Sequence, residues 1–131
     1  MEKITFECET ITPMFLAGAD GVTPELRAPS IKGALRFWWR AMHGDLGLGE
    51  LKKREGIIFG STSQRSKVII RVLSIPQNTR ENEELLPHKS QQNHKSPKEC
   101  YPEGENFSVL IMMPKSIELE EISLFLSLIH I

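Results

Sequence analysis

A chain of 131 residues has room for one hydrophobic core and little more, so a single domain over residues 1–131 is predicted. The formal net charge of −1 excludes a whole-molecule field that would draw the chain to nucleic acid, so any polyanion contact has to come from local clustering of cations. Cys8 and Cys100 are far apart, no Cys-x-x-Cys pair occurs, and no basic and apolar leader opens the chain, a pattern that predicts a cytoplasmic protein with no membrane partner.

In chain order, residues 3–11 alternate apolar and polar at Ile4, Phe6 and Cys8, the period of a half-buried strand. Pro13 ends it, and a loop through Gly18, Gly21 and Pro24 leads to Arg27. A helix is then predicted from Ile31 to His43, with Pro29 holding Ala28 extended, Ser30 as the capping hydroxyl and Gly44 as the left-handed stop. At about 100° per residue, Ile31, Ala34, Leu35, Trp38, Trp39 and Met42 share one broad face. Leu35 and Trp38 are expected in the core. Lys32, Arg36, Arg40 and His43 form a stripe beside that face with no acidic partner at helical spacing, so the cations repel one another. Gly33 costs the helix about 1 kcal/mol relative to Ala. A solvated helix face is the plain reading of such a stripe; a bound polyanion would account for both oddities.

Residues 50–55 read as a short charged turn of helix. Gly60-Ser-Thr-Ser with Gln64 and Arg65 reads most plainly as a turn, although its backbone N–H groups and hydroxyls also suit a phosphate, with Ser61 the candidate contact. Lys67–Ile75 is a β-branched strand with Val68, Ile70 and Val72 on one face and Ile69, Arg71 and Leu73 on the other. Residues 76–105, with four prolines and little to bury, are expected as a mobile insertion between paired strands. His88, His94 and Cys100 fall at six-residue intervals, without the closer pair that zinc sites usually show, so no metal or other cofactor is expected. Asn106–Met113 is the next strand, and its unbroken apolar run from Val109 predicts a central position. Ser116 caps a final helix carrying Leu119, Ile122, Phe125, Leu126 and Ile129. That helix ends without a glycine or basic last turn, as a truncated domain would.

The run Pro29-Ser-Ile-Lys-Gly-Ala-Leu-Arg-Phe-Trp-Trp-Arg-Ala41 resembles the first-helix motif of the RAMP (repeat-associated mysterious protein) superfamily of CRISPR-associated subunits: a Ser, an apolar residue, Lys-Gly, any residue, Leu-Arg. Its Phe-Trp-Trp-Arg extension is similar to the branch that supplies the first-numbered subunit of the Cmr (type III-B) RNA-targeting complex. Thr12–Ala19 and Ile58–Thr62 agree with that resemblance, which covers roughly residues 4 to 75.

The order strand, helix, strand, strand, helix is an α+β, ferredoxin-like (RAMP/RRM-like) β-α-β-β-α pattern lacking its last strand. An RNA-recognition motif would carry stacking aromatics in a Lys/Arg-Gly-Phe/Tyr-Gly/Ala-Phe-Val strand, and neither later strand has one. The resemblance implies a non-catalytic subunit in antiviral defence whose partners are CRISPR guide RNA, target RNA or both, together with other Cmr subunits. Arg27, Lys32, Arg36, Arg40, His43 and Ser61 are its expected RNA contacts. Two alternatives stay open. One is a metal-independent endoribonuclease using His43, which would need a second acid–base partner; the other is a module docking an acidic protein neighbour.

Overall fold

A computed structural model describes residues 1–82 and 98–115. Its elements are β1 (Glu2–Glu9), α1 (Ala28–Met42), α2 (Leu48–Phe59), β2 (Ile69–Ser74), β3 (Arg80–Asn82), β4 (Lys98–Cys100) and β5 (Asn106–Met113). β1, β5 and β2 form one sheet in that order, so β5 is central, as its apolar run predicts. The amide of Thr10 donates to the carbonyl of Glu105 (2.9 Å), and Gly104 donates back to Thr10 (2.7 Å). The end of β1 therefore meets the start of β5. The hydroxyls of Ser74 and Ser108 stand 2.7 Å apart, which places the end of β2 beside the same start. These junctions make the ladders antiparallel, and β1, α1, β2 and β5 follow the ferredoxin-like order. The predicted last helix lies outside the described residues.

By packing, the chain divides into two compact units. The first comprises Met1–Thr5, Ala28–Arg71 and the described residues from Leu110 to 115; the second comprises Phe6–Arg27 and the described part of Val72–Val109. In the first, Leu35 and Trp39 of α1, Ile58 and Phe59 of α2, Val68 and Ile70 around β2, and Ile111, Met112 and Met113 of β5 are buried. In the second, the buried set includes Leu26, Cys100, Tyr101 and Val109. There the Tyr101 hydroxyl donates to the carbonyl of Pro24 at 3.0 Å.

The structure corrects the sequence reading in four places. α1 begins at Ala28, so Pro29 sits in the first turn, where its missing N–H is no loss, and Ser30 lies inside the helix rather than capping it. Trp39 is fully buried whereas Trp38 is 40% exposed, so Trp39 is the core residue of the pair. α2 runs on to Phe59 through a buried Gly56, because Glu55, Ile58 and Phe59 all face inward and packing overrides the propensity cost of glycine. The span 76–105 also contains an element. Arg80, Glu81 and Asn82 pair antiparallel with Cys100, Glu99 and Lys98, while residues 83–97, including His88 and His94, lie outside the described chain.

Trp39 meets Phe59 edge to face, with ring centroids 6.3 Å apart, and stacks on His43 at 4.2 Å. This packing holds despite an indole Nε1 buried without a hydrogen-bond partner among the described residues. Trp39→Ala should therefore cost about 3–5 kcal/mol in urea denaturation, and Trp38→Ala markedly less. Equal losses would place the helix in a different rotational phase.

The Glu105 carboxylate ties the chain beyond β2 to the start of β5, accepting from the amides of Gln77 (2.9 Å) and Asn78 (3.1 Å) and from the Asn78 side chain (2.7 Å). The Asn78 side-chain bond, then its amide, hold this carboxyl below the ordinary glutamate range. It therefore stabilises the fold fully above the unfolded value, about 4.3, and loses that contribution as pH falls through the lower folded value. Glu105→Gln should flatten the acid limb of the melting-temperature profile below about pH 5 and leave it unchanged above; an unchanged slope would show that the carboxylate contributes nothing to acid stability.

Candidate functional site

The burial pattern of α1 shows a helix turned towards its own cations. Leu35 and Trp39 are buried, Lys32, Arg36 and His43 are half-buried, and Phe37, Trp38 and Met42 are exposed. The inward stripe thus runs between the apolar set and the basic set. The physical reason is Glu55 on α2, only 4% exposed, whose carboxylate accepts from the Arg36 guanidinium Nε and lies 3.6 Å from Arg40 Nη1. A buried carboxylate requires such partners. No acid stands at helical spacing within α1, as read from the sequence, but Arg36 and Arg40 are not left to repel one another without return: their acid comes from the next helix, at a spacing that periodicity within α1 does not reveal.

His43 closes α1. Its Nδ1 lies 2.8 Å from the Trp39 carbonyl, one of the orphan acceptors of the last turn, and its ring stacks on the Trp39 indole. Arg27 is exposed and belongs to the other packing unit.

Lys32 has a different environment. Burial, followed by the charge of Arg36, lowers its pKa from the ordinary lysine value. It also stands near the positive end of α1, a helix with no acid in its first turn. Every local influence on this ammonium disfavours its charge, and an anion would reverse that balance.

Lys32 lines two adjoining clefts. The larger, about 580 Å³, runs past Arg36 and along the loop from Phe59 to Ser66, including Ser61, Thr62 and Arg65. The smaller, about 300 Å³, lies between the first turn of α1 and the start of β2. Lys32, Arg65 and Ser66 belong to both, and among the described residues no acidic side chain lines either. The loop is shaped by Gly60, at φ +91°, where an added Cβ would stand 2.9 Å from the amide nitrogen of Ser66. Ser61 donates its amide to Gln64 (2.8 Å), and its hydroxyl lies 3.2 Å from that of Ser63. The Ser66 hydroxyl donates to the Val68 carbonyl at 2.7 Å. The serines thus hold the loop, and Lys32 and Arg65 supply charge that has no carboxylate partner among the described residues.

Of the residues expected from the sequence, the larger cleft brings together Lys32, Arg36 and Ser61; Arg40 joins the Glu55 pair and His43 caps the helix. Glu55 is the residue missed, and Arg65 is read from the sequence only as part of its loop and not as an expected contact. Glu55 shares a helical face with Leu51, Ile58 and Phe59, a signal legible once α2 is carried to its full length. Arg65 gives no sequence signal beyond its loop composition. Among the described residues, no group of three His, Cys, Asp or Glu side chains could hold a metal, and no helix is long and apolar enough to cross a membrane.

This fold and this first-helix motif are those of the RAMP superfamily, which the sequence matches over residues 7–130, and the chain belongs to it. Within the superfamily it is similar to Cmr subunits of Pyrococcus furiosus. It is 36% identical to the CRISPR system Cmr subunit Cmr1-1 over 141 residues, taking in 92% of this chain and 40% of the relative. It is 42% identical to Cmr1-2 over 74 residues, 54% of this chain and 40% of that one. The crystal structure of apo Cmr1 from the same organism matches with a TM-score of 0.68 at 29% identity, covering 98% of this chain and 43% of the other. The chain spans about two fifths of the length of these relatives.

Removing one partner of the Glu55 cluster leaves a buried charge underpaired. Arg36→Ala should destabilise the fold by about 1–3 kcal/mol, the partial exposure of Arg36 keeping the loss below that of a fully buried pair. Adding Glu55→Gln should recover part of the loss. A double variant no more stable than the single would show that Glu55 is not the group Arg36 neutralises.

Proposed function

We propose that this chain is a non-catalytic, RNA-binding part of a Cmr (type III-B) CRISPR effector subunit, working in antiviral defence with guide or target RNA and with other Cmr subunits. The observation that carries the reading is the pair Lys32 and Arg65, two cations that, among the described residues, have no carboxylate partner and face clefts with no acidic lining. Cations arranged in this way meet phosphates and hold register, while base pairing between guide and target supplies sequence selectivity. The relatives' description as CRISPR system Cmr subunits supports membership of that complex. The exposed Phe37, Trp38 and Met42 on the outward side of α1 suit a further protein surface.

The endoribonuclease reading has less support. His43 is the candidate histidine, and its Nδ1 is occupied by the Trp39 carbonyl. Among the described residues no histidine, His43 included, lines either cleft, so neither offers an acid–base pair there. End-labelled RNA incubated with the chain in chelator should therefore stay intact.

Lys32→Ala and Arg65→Ala should each weaken binding of unrelated single-stranded RNAs about equally, and each should make the slope of log K against log salt shallower by ~0.7. Neither change breaks an ion pair, so urea midpoints should stay unchanged. Fluorescence anisotropy and denaturation on the same variants decide the matter: stability lost with affinity kept would return both cations to a structural role. Arg36→Ala is a poor probe because it also unpairs Glu55.

A further inference from the structure

The two clefts differ in chemistry although they share Lys32 and Arg65. The larger has the hydroxyl-rich loop as its wall. The smaller is walled by Ala28 and Pro29 from the first turn of α1 and by Val68, Ile69 and Ile70 from the entry to β2, with the two cations at its side. An anion alone gains nothing from an aliphatic wall, and an apolar ligand alone gains nothing from the cations. A ligand that uses both is flat and apolar at one end and singly or doubly negative at the other. A volume of about 300 Å³ lies at the small end of ligand pockets, the size class of one nucleoside rather than a helix or a strand.

We propose that the smaller cleft is a nucleobase pocket, in which one unstacked base of a bound RNA lies against Val68, Ile69 and the first turn of α1 while Lys32 and Arg65 hold the phosphate attached to it. This deepens the reading of the site as an RNA interface and rests on it. Among the described residues the hydroxyl of the pocket is that of Ser66, which is engaged with the carbonyls of Ile58 and Val68, so the pocket takes a base without selecting its identity. Its contribution is to fix where the strand unstacks, as sequence-tolerant single-strand sites do with aromatic platforms. The desolvated Lys32 fits the same arrangement, since a phosphate at the mouth would restore the charged state that burial disfavours.

The test uses the full chain with adenosine 5′-monophosphate and ribose 5-phosphate as probes, read by methyl NMR and by titration. The nucleotide should shift the methyl resonances of Val68, Ile69 and Ile70 through its ring current and bind about tenfold more tightly than the sugar phosphate, which should leave those methyls unmoved. Ala28→Phe, which fills the pocket from its rim, should bring the nucleotide down to the affinity of the sugar phosphate; the wild-type methyl shifts decide the point should that variant fold poorly. An abasic residue in a short single-stranded RNA should cost about tenfold at one position only. Equal affinity of the two probes with still methyls overturns the pocket, and the RNA-binding reading then survives if Lys32→Ala still weakens RNA. Tight nucleotide binding with no abasic penalty assigns the pocket to a free nucleotide and overturns its role for RNA. If Lys32→Ala leaves RNA affinity unchanged, the pocket and the reading beneath it both fall.

Discussion

Glu55 places a carboxylate where water barely reaches, and the relation between the first two helices follows from neutralising it. Two guanidiniums from α1 meet that one acid of α2. To bring them there, α1 rotates about its axis until Trp39 rather than Trp38 enters the core and Arg36 flanks the apolar seam. A buried ion pair is weak evidence for net stability, because desolvation offsets much of the attraction. Its better-attested contribution is register: only one rotation of α1 satisfies the acid, and that rotation also brings Lys32 to the rim of both clefts.

The site is therefore divided between cations with structural partners and cations that have none among the described residues. Arg36 and Arg40 balance a charge inside the fold, and His43 closes a helix end. Lys32 and Arg65, which come from α1 and from the loop after α2, face space instead. A basic stripe on a helical wheel treats all of its members alike, whereas the packed structure sorts them by what each one touches.

The main architecture was legible in the sequence because its signals are local. Alternation in β1, the β-branched run of β2 and the unbroken apolar run of β5 each report burial by period or by its absence, and the central place of β5 follows from the last. The motif around Lys32 and Gly33 pointed to the superfamily. What could not be read depends on partners distant in the chain. Trp38 and Trp39 are about 100° apart on the wheel, so a broad apolar face admits either as the core residue until Glu55 sets the rotation. β3 and β4 are polar triplets without alternation, paired across a long excursion, and leave no periodic trace. Arg65 is one exposed arginine in a turn-like segment, and only its position opposite Lys32 gives it meaning.

Gly60 gives the site an unusual dependence on a residue that offers no functional group at all. With φ at +91° and the backbone of Ser66 pressed against the place a methyl would occupy, the loop can return towards β2 only if that position carries a hydrogen atom. The spacing between the two unpaired cations, and with it the boundary between the hydroxyl-lined and aliphatic clefts, is inherited from that turn. An alanine there would leave every charged and polar group of the interface in the sequence while altering the distances among them, so a loss of function at Gly60 would be a loss of geometry with the chemistry intact.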